Sequence, residues 1–341
     1  MGEITTIGLD LAKRVFQVHG VDAAGTVVLK RQMRRAELLR FFGKLPRCLI
    51  GLEACATAHY WARELTALGH EVRLIPPHYV KPYVRRNKSD RADAAAICEA
   101  VGRPSMRFVP VKNAAQQAGL VVHRVRDVLI RQQTMLTNAL RAHLAEFGIV
   151  EPRGRDGLGK LIEVVQAGAD LPEAARQALL SLVRQIASLA EEINALDRQM
   201  RAAAKDNEIA RRLQTIPGVG PVIASALAAT VTDARLFRNG RELAAWIGLT
   251  PRQHSTGGRL RLGGISKRGD RYLRRLLVNG AQAVLLRSKA ARSDPWLLRL
   301  RAQKPLLKVA VALANKLARI AWAIMAHDET YRRPVTAEAA A

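Results

Sequence analysis

Two short apolar runs, each ending on a carboxylate, constrain this chain more than any other feature. Ile4-Thr5-Thr6-Ile7-Gly8-Leu9 leads into Asp10, and Cys48-Leu49-Ile50-Gly51-Leu52 leads into Glu53. Both are short, apolar and followed by a change of period, which predicts buried strands. A third stretch, Asn87-Lys88-Ser89-Asp90-Arg91-Ala92-Asp93-Ala94, opens a helix that reads on through Ile97, Cys98 and Ala100. Ser89 is its expected cap, because a serine hydroxyl accepts a hydrogen bond from an orphan N–H of the first turn. Asp90 and Asp93 share one helical face, with Cβ atoms roughly 5–6 Å apart. If a fold gathers Asp10, Glu53, Asp90 and Asp93, they repel by roughly 4 kcal/mol per close pair at an effective dielectric near 20. Divalent magnesium or manganese would offset that repulsion.

The order of elements around these acids predicts the fold class. Residues 4–10, 14–22 and 25–32 read as three consecutive strands, with Asp22-Ala23-Ala24-Gly25 as the second turn. A helix at about 35–43, the strand ending at Glu53, a helix near 57–68 and the strand 71–75 follow, and the helix from Asp90 closes the unit. Three strands and then alternating helices and strands suit a ribonuclease-H-like α/β domain, expected over residues 1–112. The rest reads as all-α. Helical periodicity through Leu120, Val128, Leu136 and Leu144 resumes after a Gly-rich break at Leu179, Ile186 and Ile193. Residues 113–207 are thus expected to form an antiparallel hairpin or coiled-coil dimerisation arm, the alternative being a helical linker packed on its own chain. In 208–332, Ile216-Pro217-Gly218-Val219-Gly220-Pro221 resembles a helix-hairpin-helix. There Gly218 and Gly220 would let the backbone approach a phosphate, unless the glycines serve helix packing alone. Residues 333–341 read as a disordered tail.

Charge identifies the partner class. The 341 residues hold 55 Lys and Arg against 29 Asp and Glu, a formal charge of +26. Such an excess points to nucleic acid, where phosphate neutralisation releases counterions. No unbroken apolar run of eighteen residues and no signal-peptide pattern appear, so a membrane partner is not expected. Aromatics are only 4% of residues, which favours backbone and shape contacts over base stacking. Cys48, Cys55 and Cys98 fall in expected buried elements without Cys-x-x-Cys spacing, as in a cytosolic protein with reduced thiols. None of the eight histidines pairs at zinc-ligand spacing. Basic residues concentrate from 252 to 304, fourteen against Asp270 and Asp294 alone, including Arg252, Arg259, Arg261, Lys267, Arg268 and Arg271. Among them lies His254-Ser255-Thr256-Gly257-Gly258. Its hydroxyls are placed to meet a phosphodiester among guanidinium groups, or simply to shape a turn.

Taken together, these residues resemble a known family. Gly8-Leu9-Asp10-Leu11-Ala12-Lys13, then Glu53-Ala54, then Lys88-Ser89-Asp90-Arg91-Ala92-Asp93-Ala94 resemble the RuvC-like DEDD domain of insertion-sequence transposases. The match is to the IS-one-ten family and its eleven-eleven subgroup, related to the Piv invertases. Ile216 to Gly220, Gly248-Leu249-Thr250-Pro251-Arg252 and Ser255-Thr256-Gly257-Gly258 are similar to that family's C-terminal transposase domain. The resemblance implies a site-specific DNA recombinase in which Asp10, Glu53, Asp90 and Asp93 bind Mg2+ and a serine joins covalently to DNA. It implies a noncoding guide RNA pairing with donor and target duplexes, and homodimers that assemble into tetramers, with the serine of one subunit meeting the acids of another. It implies a bacterial, cytoplasmic protein associated with the nucleoid. The family sets its serine directly before a glycine, whereas Thr256 intervenes here. Ser255 is assigned from its spacing back from Lys267 and Arg268, with Thr256 and Ser266 as alternatives.

Three other readings compete. A Holliday-junction resolvase would use the same acids to activate water, but would need neither a serine nor residues 208–332. A sugar-kinase-like or actin-like ATPase also begins with a strand ending in Gly-x-Asp, yet requires a second phosphate loop that the sequence lacks. A non-catalytic nucleic-acid-binding protein suits the charge but leaves the acids unexplained.

Overall fold

In the computed structural model, which describes residues 3–84, 89–168 and 171–332, the first three apolar runs form an antiparallel meander. They are β1 (Thr6–Asp10), β2 (Val15–Val21) and β3 (Val27–Arg34). Asp22 closes the second turn by accepting hydrogen bonds from the N–H groups of Ala24 (3.0 Å) and Thr26 (2.8 Å). β4 (Leu49–Glu53) and β5 (Glu71–Ile75) then add in parallel, giving the order β3-β2-β1-β4-β5. Ile7-Gly8-Leu9 and Ile50-Gly51-Leu52 are buried at three consecutive positions, as central strands covered on both faces must be. The helices of this part are α1 (Leu38–Phe42), α2 (Ala58–Ala67), α3 (Pro77–Val80) and α4 (Asp90–Val101). Phe16, Leu38, Phe42, Trp61 and Leu65 fill one side of the sheet, and Ile97 and Val101 of α4 the other. Each such side chain contributes about 1.5–3 kcal/mol by leaving water. The result is a mixed α/β unit, Met1–Ala115.

The three cysteines do not share the buried setting expected of them. Cys48 and Cys98 are buried, but Cys55 is exposed, because the strand ends at Glu53 and the chain turns outward before α2. Asn87 and Lys88, expected just ahead of α4, and the tail 333–341 lie outside the described residues.

The second unit, Gln116–Ala341, is helical apart from one hairpin among its described residues. α5 (Ala114–Ala145, 32 residues) and α7 (Glu173–Asp206, 34 residues) are bridged by α6 (Arg155–Ala167). Leu140, Leu144, Leu161, Val165, Leu179 and Ile186 make a small core where the three meet. The chain continues through α8 (Glu208–Leu213), α9 (Pro221–Thr230) and α10 (Gly240–Ile247) to the hairpin strands β6 (Pro251–Gln253) and β7 (Leu262–Ile265). It ends in α11 (Arg271–Arg287), α12 (Lys289–Arg292), α13 (Pro295–Gln303) and α14 (Leu306–His327). By length and composition α14 could cross a membrane. Here Val309, Leu313, Leu317, Ala321 and Ile324 turn it into the core, against α10 and α11, while Lys308, Lys316 and Arg319 interrupt its apolar sequence.

A polar row, buried at His123 and Tyr272 and half-buried at Ser225, braces the long helices to this core. Ser225 Oγ donates to Pro221 O (2.8 Å), so it accepts from His123 Nε2 (3.1 Å), and His123 Nδ1 accepts from the Tyr272 hydroxyl (3.0 Å). Burial, with Arg126 and Arg124 nearby, pushes His123 down to about 4, keeping the imidazole neutral. A serine whose proton is held by a backbone carbonyl is a brace and not a nucleophile. Beside it Arg126 grips Asp197 through two nitrogens, at 2.5 and 3.2 Å.

Candidate functional site

Parallel pairing of β1 with β4 sets Leu9 opposite Leu52, which places Asp10 and Glu53 at the same level on neighbouring strands. Adjacent strands run about 4.8 Å apart, so the two acids belong to one edge of the sheet. Gly8 and Gly51 decide how closely α4 approaches. A Cβ on Gly8 would stand 2.1 Å from Ala94 O and 2.4 Å from Cys98 N, and one on Gly51 would stand 2.7 Å from Val101 Cβ. With no side chains there, α4 rests almost backbone to backbone on the strands, and its first turn reaches the end of β1. Ser89 caps that turn as expected, accepting from Ala92 N at 3.2 Å.

Asp10, Asp90 and Asp93 thereby bring carboxylate oxygens within 4.8 Å of one another. Burial first, then Asp93, Asp90 and Glu53, push the Asp10 carboxyl up to about 6. Asp90 and Asp93 also sit at a helix N-terminus, whose partial positive charge offsets a little of the repulsion. Among the described residues no ion pair with Lys or Arg reaches Asp10, Asp90 or Asp93. An all-oxygen donor set with excess negative charge fits a hard divalent cation, and these are the residues that could hold one.

In the second unit, Ser255 lies on the hairpin, between β6 and β7. Thr256 and Arg259 close its tip, with Gly257 (φ 54°) and Gly258 (φ 74°) between them. Two successive positive φ values are what a two-residue hairpin turn demands, and glycine meets them without strain. Ser255 Oγ accepts from Gln253 Nε2 (3.0 Å) and from Arg261 N (3.2 Å), so two donors face its oxygen. Arg252, Arg259, Arg261, Lys267, Arg268 and Arg271 are all exposed, and no ion pair occupies them among the described residues. Thr256 spends its backbone on the turn, and Ser266 sits at the hairpin root, its N–H on Thr250 O at 2.8 Å.

The two glycines between α8 and α9 differ. Gly218 (φ 88°) would bring a Cβ within 2.5 Å of Val284 and 2.9 Å of Gly280 O, so its close approach is to α11. Gly220 faces open space and precedes Pro221, the first residue of α9. Sequence reasoning missed the hairpin, Gln253 and the role of Gly8. Exposed Leu260 and Leu262 flanking Arg261 carried a strand-like alternation, and a glycine inside an apolar strand signals close backbone approach.

Comparison with known proteins adds whole-chain similarity. A family model described as "Transposase", of the DEDD type of IS110, matches residues 7–149. One described as "Transposase IS116/IS110/IS902 family" matches residues 210–296. A "Probable family 20 transposase" of Pseudomonas aeruginosa is 52% identical over 335 residues, covering 96% of this chain and 99% of its own length. The "Transposase for insertion sequence element IS1328" of Yersinia enterocolitica is 41% identical, covering 98% of this chain and 100% of its own. The "Transposase for insertion sequence element IS1111A" of Coxiella burnetii is 39% identical, covering 97% and 92%.

Proposed function

This chain belongs to the IS116/IS110/IS902 family of insertion-sequence transposases, and from that premise we propose that it exchanges DNA strands with an acidic tetrad and a serine nucleophile. The tetrad is Asp10, Glu53, Asp90 and Asp93, and its cation is Mg2+, with Mn2+ able to replace it. The observation that carries this reading is the meeting of the Asp10, Asp90 and Asp93 oxygens within 4.8 Å at the end of β1. Once bound, the cation would neutralise phosphate charge. Ser255 attacks phosphorus. Donation from Gln253 and Arg261 N stabilises charge building on its oxygen and leaves its own proton free to depart. The strand's P–O bond breaks, the released oxygen takes up a proton, and the phosphoserine link persists until an incoming strand hydroxyl displaces the serine. Arg252, Arg259, Arg261, Lys267, Arg268 and Arg271 offset the extra charge of the phosphoryl transition state and hold the flanking backbone.

Residues 1–112 form the ribonuclease-H-like, RuvC-like catalytic domain in this reading, supported by the antiparallel meander continued by two parallel strands. Residues 113–207 are the dimerisation arm, supported by an exposed apolar stripe on α5. Val121 (59% exposed), Val125 (43%), Val128 (41%) and Met135 (61%) recur there at coiled-coil spacing. Residues 208–332 are the transposase domain, in which α8 and α9 act as a helix-hairpin-helix that meets a phosphate at Gly220 and the start of α9. Donor and target are double-stranded DNA, bound by homodimers that pair into tetramers in the cytoplasm, at the nucleoid. A noncoding guide RNA chooses the sequences, consistent with the +26 charge and the lack of a recognisable base-reading motif.

Trapping of a covalent protein–DNA adduct on DNA carrying the element's end tests the chemistry. Ser255→Ala should abolish the adduct with RNA and DNA binding intact, and Asp10→Asn should abolish it together with divalent-cation binding. An adduct that survives Ser255→Ala would reassign the nucleophile to Thr256 or Ser266. Cleavage by the wild type with no adduct would instead favour metal-activated water, as in a Holliday-junction resolvase. Sequencing of co-purified RNA tests the guide, and recovery of none would remove it.

A further inference from the structure

A cleft of about 960 Å³ opens in the second unit between the start of α10 and α14. Its size is that of a ligand site, commonly about 300–1,000 Å³. Trp296, Trp322 and Ile320 supply apolar surface, and Pro251 and Ile265 form part of the wall. Those last two are the paired residues at the root of the hairpin that carries Ser255. Arg241, Lys308, Lys316 and Arg319 also line it, and among the described residues no acidic side chain does.

The lining groups define what this cleft accepts. Among the described residues, none of these four cations is held in an ion pair. The Lys316 ammonium instead lies 4.6 Å from the centre of the Trp296 ring, a cation–π contact that leaves its charge available to an anion. The Trp322 indole N–H is spent on Ala234 O (2.9 Å) and Phe237 O (3.2 Å), so that ring is fixed and presents carbon. The Asn315 amide donates to Leu249 O (3.3 Å), and the Asn239 side chain accepts from Glu242 N (3.1 Å) as the cap of α10. The site is therefore an apolar floor with cations and no acid. It suits a ligand that is flat and apolar in one part and anionic at regular intervals in another. A single-stranded nucleic acid has that chemistry, with bases that pack on an indole and phosphates that meet lysine and arginine.

Continuity with the hairpin selects the strand. Pro251 and Ser255 are four residues apart, about 13 Å along an extended chain. That distance corresponds to about four stacked nucleotides at 3.4 Å each. We propose that the cleft seats an unpaired stretch of the DNA strand a few nucleotides from the phosphate presented to the hairpin. A base packs on the exposed part of Trp296, and phosphates meet Lys308, Lys316 and Arg319. This rests on the serine reading given above, because that reading brings the strand to the hairpin.

The test uses the full chain and end-labelled 12-nucleotide single strands of DNA, the same sequence in RNA, and the DNA duplex, each titrated by fluorescence anisotropy. Lys308→Ala combined with Lys316→Ala should weaken single-stranded DNA about tenfold. It should also reduce the slope of log affinity against log salt by about 1.4, two contacts at about 0.7 each. Single-stranded DNA should quench tryptophan emission in the wild type, and Trp296→Phe should remove most of that quenching while the protein melts as before. Unchanged single-stranded DNA affinity in the double variant would overturn the proposal. A loss confined to RNA would also overturn it, reassigning the cleft to RNA. The serine reading fails by a different observation, a wild-type protein that forms no covalent adduct, and that result leaves the binding comparison readable.

Discussion

Replacing Gly8 by alanine puts one methyl group where the α4 backbone already is. Its Cβ would lie 2.1 Å from Ala94 O, 2.4 Å from Cys98 N and 2.8 Å from Cys98 Cα. All three are backbone atoms of a helix, so no side-chain rotamer change can relieve the overlap. Restoring ordinary contact requires α4 to withdraw by about 1 Å, and overpacking of this kind costs about 1–3 kcal/mol. A domain with about 5–15 kcal/mol of stability remains folded after such a loss. The larger consequence falls on geometry, because Asp90 and Asp93 travel with α4 while Asp10 stays on β1. A displacement of about 1 Å among reacting groups costs on the order of 100-fold in rate. Gly8→Ala should therefore melt cooperatively at a somewhat lower temperature and form the covalent DNA adduct about 100-fold more slowly. Gly102→Ala, at the far end of the same helix, meets nothing within 4 Å and serves as the control. A folded Gly8→Ala protein with wild-type adduct rates would refute the claim that the approach of α4 sets the acidic site.

The remaining predictions concern charge and association. The Asp10 carboxyl sits at about 6 in the fold against 3.8 as its ordinary value. Its favourable contribution is thus full below about pH 4 and lost as pH rises through about 6. Without divalent cations, Asp10→Asn should stabilise the protein at pH 7.5 relative to wild type by about 1–2 kcal/mol, after discounting for partial exposure, and by little at pH 4. Equal effects of Asp10→Asn at the two pH values in thermal melts would contradict the crowding of carboxylates. Val125→Glu together with Val128→Glu places charge on the exposed α5 stripe and should shift the chain to monomer in sedimentation velocity. If the substituted protein sediments as the wild type does, the stripe is not the subunit contact.

Features that depend on neighbours along the chain are legible in the sequence itself. The strands ending at Asp10 and Glu53, the Ser89 cap and the i, i+3 pairing of Asp90 with Asp93 follow from local periodicity and hydrogen-bonding capacity. Positions that depend on a distant partner are not legible there. Gly218 reads equally as a glycine kept for a phosphate or for packing, and only the fold shows Val284 and Gly280 against its free side. Ser225 comes within hydrogen-bonding reach of His123, 102 residues away, only once their two helices pack. Cys55 reads as buried until the chain is seen to turn away from the sheet. The cleft under the hairpin is assembled from five separated segments, and the sequence, sparse in aromatics, contains no sign that Trp296 and Trp322 would face one space. Backbone preferences act over a few residues and so are written along the chain. Which glycine is crowded, which cation stays unpaired and which surfaces enclose a cavity are set by atoms far apart in sequence, and only packing determines them.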